Sequence, residues 1–353
     1  MTVNLDDQQL YEKLDTTNLH ERIQNLPKQC RQAWQSALTL PLPEDFNSID
    51  KIVVLGMGGS AIGGDLLRSM VSLQSNIDVI VQRDYDLPKS VNEKTLVIAS
   101  SYSGNTEETL SAFSQALETP CKKFVITTGG KISELAARNG VPLLSFGFSS
   151  EPRAALGCSL FSLLAFMRKL GIIPDELLKI DESLDALNKL STQLSKDIPM
   201  ESNPAKQLAA KLFDRLVIVY GAGILTSVAY RWKTQINENS KAWAFSETLP
   251  ELNHNAVVGY QFPAGMADKL FVVMLRSEDL HPRTLKRYEI TSDILAKAHV
   301  PHEVIDTSGK TPLCRMMNSI LMGDFVSYYL AILYKINPSP VEIIDYLKKA
   351  LSS

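Results

Sequence analysis

The stretch Lys51-Ile-Val-Val-Leu-Gly-Met-Gly-Gly-Ser60 is a short β-branched run that breaks into a glycine-rich turn. Such a run, apolar without alternation, describes a strand buried on both faces, hence a parallel sheet covered by helices. An apolar-periodic segment follows, ending near Val71. Working outward, Thr95-Leu-Val-Ile-Ala-Ser100 is a second such strand, followed by the loop Ser101-Tyr-Ser-Gly-Asn-Thr106. Glu107 and Glu108 then open a helix, where negative charge suits the positive end of the dipole. Residues 123–127 predict a third strand before the turn Gly129-Gly130, and residues 141–146 a fourth.

The second half repeats the plan. Leu216-Val-Ile-Val-Tyr-Gly221 leads through Ala222-Gly223 into a helical segment through Lys233, and Leu270-Phe-Val-Val-Met-Leu275 matches the second strand. The third unit is the most telling, with Val125-Ile-Thr-Thr-Gly-Gly-Lys131 against Val304-Ile-Asp-Thr-Ser-Gly-Lys310. The pattern predicts an α/β protein of two related β/α domains, although strand-glycine-helix units look alike in any α/β chain. Residues 1–155 are expected to hold a helical lead-in and the first domain, 156–203 connecting helices, and 204–353 the second domain. Asn337-Pro-Ser-Pro340 precedes a last amphipathic helix over 341–351, with proline at its start as helices prefer.

Composition narrows the function classes. The 353 residues suit two domains at about 100–200 residues each. With 36 Lys+Arg against 39 Asp+Glu the net charge is -3, too little basic excess for a nucleic-acid partner. The opening Met-Thr-Val-Asn-Leu-Asp-Asp is acidic and polar, unlike a targeting peptide. No run reaches the roughly 20 apolar residues of a membrane span; the most apolar one, 156–166, stops at Arg168 and Lys169. Cys30, Cys121, Cys158 and Cys314 are scattered, which suits free thiols better than disulfides or zinc. These features imply a cytoplasmic protein with neither a nucleic-acid nor a membrane partner.

Ligands of open parallel sheets sit beyond the carboxyl ends of strands, where helix N-termini present N–H groups. Gly56-x-Gly58-Gly59-Ser60 occupies such a place, but its spacing is wrong for a dinucleotide fingerprint and it lacks the Lys-Ser/Thr of a P-loop. A tight strand-to-helix turn would explain its glycines equally well. The loop Ser101-x-Ser103-Gly104-Asn105-Thr106 is more specific: it sets three hydroxyls before a helix N-terminus, where an ordinary N-cap needs one. With no lysine in the loop, a phosphate monoester fits better than a nucleoside triphosphate with magnesium. The counterpart Leu275-Arg-Ser-Glu-Asp-Leu-His-Pro282 has lost the cluster and carries two acids, which repel phosphate. The second half instead holds Asn237-Glu-Asn-Ser-Lys241 and Pro250-Glu-Leu-Asn-His-Asn255, each with an ionisable centre between amides. Such flanking can orient a carboxylate or imidazole for acid–base work, although either residue alone reads as a solvated helix end or a loop histidine. His254 has no second ligand at metal spacing.

Gly56-x-Gly-Gly-Ser60, Ser101-Tyr-Ser-Gly-Asn-Thr-Glu-Glu-Thr109, Asn237-Glu-Asn-Ser-Lys241 and Pro250-Glu-Leu-Asn-His-Asn255 together resemble the bifunctional phosphoglucose/phosphomannose isomerase family. The resemblance implies two sugar isomerase (SIS) αβα sandwiches, each on a mainly parallel five-stranded sheet. It implies an aldose–ketose isomerase that interconverts glucose 6-phosphate and mannose 6-phosphate with fructose 6-phosphate through a cis-enediol, with no metal or other cofactor. By the same resemblance Ser101, Ser103 and Thr106 bind phosphate, while Gly58, Gly59 and Ser60 lie near the sugar. Glu238 is the base, Arg153 stabilises the enediolate, and His254 with Lys348 opens the ring; Lys349, adjacent, competes for the last role. The family shares its histidine across subunits, so a homodimer is implied. The competing readings are a non-catalytic sugar-phosphate sensor, which would carry a basic recognition helix, and an amidosugar-phosphate isomerase, which would carry a nucleophilic cysteine domain.

Overall fold

Residues 3–148 and 150–351 are described by a computed structural model, and within them every strand pairing is parallel. Asn25–Ala186 with Gly309–Cys314 form the first-sheet unit; Met1–Gln24, Leu187–Ser308 and Arg315–Ser353 form the second-sheet unit. The chain opens with α1 (Gln8–Leu14) and α2 (Leu19–Gln24), which belong to the second-sheet unit. The segment 156–203 is likewise divided between the units, at Ala186.

The first-sheet unit runs α3 (Leu26–Thr39), β1 (Lys51–Leu55), α4 (Gly58–Val71), β2 (Asp78–Gln82), β3 (Thr95–Ser101), α5 (Glu107–Leu117), β4 (Lys122–Thr127), α6 (Gly130–Arg138), β5 (Leu143–Ser145), α7 (Leu156–Lys169) and α8 (Asp175–Leu178). From there α9 (Ile180–Gln193) leads out of the unit. The sheet order is β2-β1-β3-β4-β5. All of β3 and four of the five β1 residues are buried, because helices cover both faces. Val53, Val97 and Val125 from adjacent strands pack with Phe113 of α5 and Ile132 of α6.

The second-sheet unit continues with α10 (Pro204–Leu212), β6 (Leu216–Gly221), α11 (Leu225–Ser240), β7 (Ala244–Thr248), β8 (Leu270–Arg276), α12 (Pro282–Lys297), β9 (His302–Asp306), α13 (Pro312–Leu333) and α14 (Glu342–Leu351). Its order β7-β6-β8-β9 repeats that of the first sheet, but with four strands where five were expected. After β4 the first sheet has a short helix and β5, whereas after β9 the chain enters the 22-residue α13. By length and composition α13 could cross a membrane, against the expectation that no stretch could; 94% of its apolar window is buried in the protein, as in a core helix. The edge strands β2 and β7 escape a search for continuous apolar runs because β2 holds only three consecutive apolar residues, Val79 to Val81, and β7 is Ala-Phe-Ser-Glu-Thr.

A buried polar cluster closes the second-sheet unit. The Asp15 carboxylate accepts from the backbone N–H of Leu19 (2.8 Å) and His20 (2.9 Å) at the head of α2, and from the Tyr328 hydroxyl (3.1 Å). The Nε2 of His20 accepts from the Lys196 N–H at 3.0 Å, and its ring packs on Phe325. Burial, with Lys196 and Lys206 beside it, lowers the His20 pKa from 6.5 to about 4, the Asp197 carboxylate opposing. The unfolded chain therefore takes up the proton first. The stabilisation is complete above pH 6.5 and is lost as pH falls through about 4, amounting to roughly 3–3.5 kcal/mol. His20→Gln, compared with the parent in urea melts across that window, should show a shallower loss of stability on acidification; parallel curves would remove His20 as the cause.

Candidate active site

In the first sheet the chain reverses its direction of winding between β1 and β3, so the loops after these two strands border one crevice. One loop opens α4 at Gly58 to Ser60; the other, Ser101 to Thr106, opens α5. They are joined where the Tyr102 N–H donates to Ser60 Oγ at 3.2 Å. Within the serine loop, Ser101 Oγ lies 3.1 Å from Thr106 Oγ1 and accepts from the Gly104 N–H (3.1 Å), and Ser103 Oγ accepts from the Asn105 N–H (3.3 Å). Thr106 stands at the N-cap of α5, yet its side chain makes no capping bond to the helix. Its hydroxyl faces Ser101 instead, so the loop is not an ordinary Ser/Thr cap. The loop is braced from below, with Asn105 Oδ1 accepting from the Lys131 N–H (3.1 Å) and Gly104 O from the Ile132 N–H (3.0 Å). Gly104 has φ +67°, and a Cβ there would fall 1.8 Å from the Gly129 carbonyl oxygen, so only glycine fits.

Arg153 stands on a 3-10 turn, Pro152–Ala154, whose backbone packs against Gly59 at this crevice, and is 3% exposed. Two contacts hold that turn. Gln29 of α3 donates from Nε2 to Ala154 O at 3.0 Å. On the other side Gly59 lies so near that a Cβ would sit 2.6 Å from Pro152 O. Gly59, Ser60, Tyr102 and Pro152 together line a cavity of about 10 Å³, room for one water. Gly58, Gly59, Ser60, Ser101, Ser103, Thr106 and Arg153 are thus gathered at one end of one sheet.

The second-sheet unit holds the remaining predicted residues. The helix expected to reach Lys233 runs on to Ser240, which places Glu238 in its last turn. The flanking amides orient the helix end: Asn237 Nδ2 donates to Ala242 O (2.8 Å) and Asn239 Nδ2 to Ser327 Oγ (3.0 Å). Lys241 Nζ donates to Glu238 O (2.6 Å) and to Pro338 O (2.9 Å), which ties the linker before α14 to the same place. His254 is exposed, on the 3-10 turn Glu251–His254. Its neighbours anchor the turn: Asn253 Nδ2 donates to Thr291 Oγ1 of α12 (2.9 Å), and Asn255 Nδ2 to Glu251 Oε1 (2.9 Å). Glu238 lies before β7 and His254 after it, so the length of that five-residue strand, about 16 Å, separates them within one chain. Lys348 is exposed on α14, as is Lys349. In the loop between β8 and α12 the carboxylates are paired, with Arg315 of α13 donating to Glu278 (2.8 Å) and Asp279 (2.9 Å). Tyr102 and Asn105 were inside the recognised loop but not singled out; their bracing roles depend on contacts with residues 128–150 that spacing does not reveal.

Two parallel sheets of like order, one with hydroxyls at a helix head and the other with a carboxylate and an imidazole at opposite ends, define a two-sheet α/β protein of the SIS class. Residues 201–351 match the family described as the bacterial phospho-glucose isomerase C-terminal SIS domain. The chain is 43% identical over 335 residues to a bifunctional phosphoglucose/phosphomannose isomerase of Caldicellulosiruptor bescii, covering 95% of this chain and 99% of that one. It is 33% identical over 311 residues to the protein so named in Aquifex aeolicus, covering 88% and 93%. Among solved structures, a hypothetical protein of Thermus thermophilus superposes with TM-score 0.73 at 17% identity, covering 98% of this chain and 93% of that one, which speaks to the fold alone. The chain belongs to the bifunctional phosphoglucose/phosphomannose isomerase family.

The contact at Gly59 yields a direct test. Gly59→Ala forces the Pro152 backbone, and Arg153 with it, away from the α4 N-terminus. If Arg153 acts on the substrate as the sequence leads one to expect, a displacement of about 1 Å there should lower kcat on the order of a hundredfold in an isomerase assay. An unchanged kcat would show that the turn's position is immaterial.

Proposed function

We propose that this chain is an aldose–ketose isomerase that interconverts glucose 6-phosphate and mannose 6-phosphate with fructose 6-phosphate. The observation that carries the reading is the serine loop, with hydroxyls turned from the helix they precede and towards one another at the positive end of α5. A phosphate monoester is the ligand this arrangement suits, and the relatives' activity supplies the sugar. The sensor reading finds no support in those relatives.

Ser101, Ser103 and Thr106 hold the phosphate, with Gly58, Gly59 and Ser60 beside the sugar. His254 and Lys348 exchange the protons that open the ring. The Glu238 carboxylate then removes the proton from C2 of the open-chain aldose and returns it to C1. The charge that develops on oxygen in the cis-enediolate is met by the guanidinium of Arg153. Both C2 epimers arise if the pocket lets the intermediate present either face to Glu238. The reaction belongs to cytoplasmic glycolysis and gluconeogenesis.

The active species is a homodimer in which His254 acts in the partner's site. Two observations support this: Glu238 and His254 lie at opposite ends of β7, and α14 leaves Ile343 81% and Tyr346 72% exposed on an apolar stripe. Glu238→Gln should bind sugar phosphate yet lose turnover by orders of magnitude, and near-normal activity would refute the base assignment. A stricter test mixes Glu238→Gln with His254→Ala, each inactive alone. Shared sites should restore about a quarter of the parent activity after random re-pairing, since half the dimers are mixed and each has one intact site. No recovery would place Glu238 and His254 in sites that each chain completes alone.

A further inference from the structure

A ladder of buried polar groups fastens α11 to α13. Arg231, Gln235 and Asn239 recur every fourth residue and so share one face of α11. Arg231 Nη2 donates to Asp324 Oδ2 (2.7 Å), Gln235 Nε2 to Asp324 Oδ1 (3.0 Å) and Asn239 Nδ2 to Ser327 Oγ (3.0 Å). Ser240 Oγ donates to Ser327 O (2.7 Å), and Ser327 Oγ donates to Asp324 O (2.9 Å). All six residues are buried, Asn239 and Ser327 completely. Burial pushes the Asp324 carboxyl above its usual range, against the opposing pull of Arg231 and Gln235.

Stability alone does not call for such a ladder, because well-packed apolar side chains hold two helices together at least as well as a buried ion pair. What apolar packing lacks is direction: hydrogen bonds at fixed spacing set the axial register and rotation of one helix on the other. The lowest rungs, Asn239 and Ser240, immediately follow Glu238. We propose that Ser327, with Asp324 behind it, is a positioning residue that fixes the last turn of α11 and thereby the carboxylate of Glu238. This rests on the reading of Glu238 as the base. Ser327 makes no part of the sugar site; it acts through Asn239 and Ser240.

The test uses the full-length protein. Ser327→Ala removes the hydroxyl that accepts from the Asn239 amide, and kcat should fall ten- to a hundredfold, on the order expected for a misplaced base, while KM stays within about twofold. The acid limb of the kcat profile should move as well, because the carboxylate's surroundings change. Ser327→Thr, which keeps the oxygen, should recover most of the kcat. Asn239→Ala probes the same bond from the other side should Ser327→Ala fold poorly, and the double variant should lose little more than either single one. Ile332→Val, a buried change in α13 away from the ladder, serves as the stability control. A loss of melting temperature in Ser327→Ala and Asn239→Ala with kcat and acid limb unchanged would overturn the positioning role. Glu238→Gln alongside separates the two readings. If it remains active, the base assignment fails and takes the positioning role with it; if it is inactive while Ser327→Ala works normally, only the positioning role fails.

Discussion

Backbone N–H groups at the head of a helix are what a protein of net charge -3 can set against a phosphate dianion without a basic surface. Those groups serve a ligand only if the helix does not cap itself. At α5 the N-cap hydroxyl of Thr106 is held against Ser101 rather than against the helix amides, and the positive end of α5 stays open to an anion. Holding the loop in that shape needs the tight approach of Gly104 to Gly129 and the Asn105 bond to Lys131 N–H. The fold below the loop, with its wholly buried β3, is the rigid base for that approach.

The second sheet shows the same position put to another use. The loop after β8 is the counterpart of the serine loop, but Glu278 and Asp279 are tied there by Arg315, so an anion would meet carboxylates already paired with the nearest guanidinium. The hydroxyl cluster thus stands in only one of the two like-ordered units. In the second unit the residues proposed for the chemistry stand on other elements, Glu238 at the end of α11 and His254 beyond β7. In both places amide side chains stiffen the backbone: Asn239 binds Ser327 and Asn253 binds Thr291.

Central strands announced themselves in the sequence because burial on both faces removes polar residues, and β1, β3, β6 and β8 were all legible for that reason. The edge strands β2 and β7 were not, since their apolar runs are only three and two residues long. The fifth strand expected of the second sheet came from the resemblance alone; among the described residues the chain after β9 enters the largely apolar α13 instead. Length and composition let α13 pass for a membrane span until its burial is known. The serine loop and the two Asn-flanked motifs could be read because their residues are adjacent in sequence. Gln29, Asp324 and Ser327 could not, because each acts on a partner at least 87 positions away and no spacing rule connects them.

The separation of Glu238 from His254 also bears on why the second half is built as it is. A parallel β-α-β unit sends its helix back to the amino end of the sheet, so a residue late in α11 and one after β7 must face opposite ways. No loop adjustment of ordinary length reverses this, because the five residues of β7 are hydrogen-bonded in register to β6 from Val217↔Ala244 to Gly221↔Thr248. For a carboxylate base and an imidazole acid placed there to serve one sugar, the proposed dimer would bring the imidazole of one chain to the carboxylate of another. A two-fold pairing does this for both sites at once. In the proposed dimer the exposed apolar stripe of α14 and the exposed His254 would be parts of one arrangement.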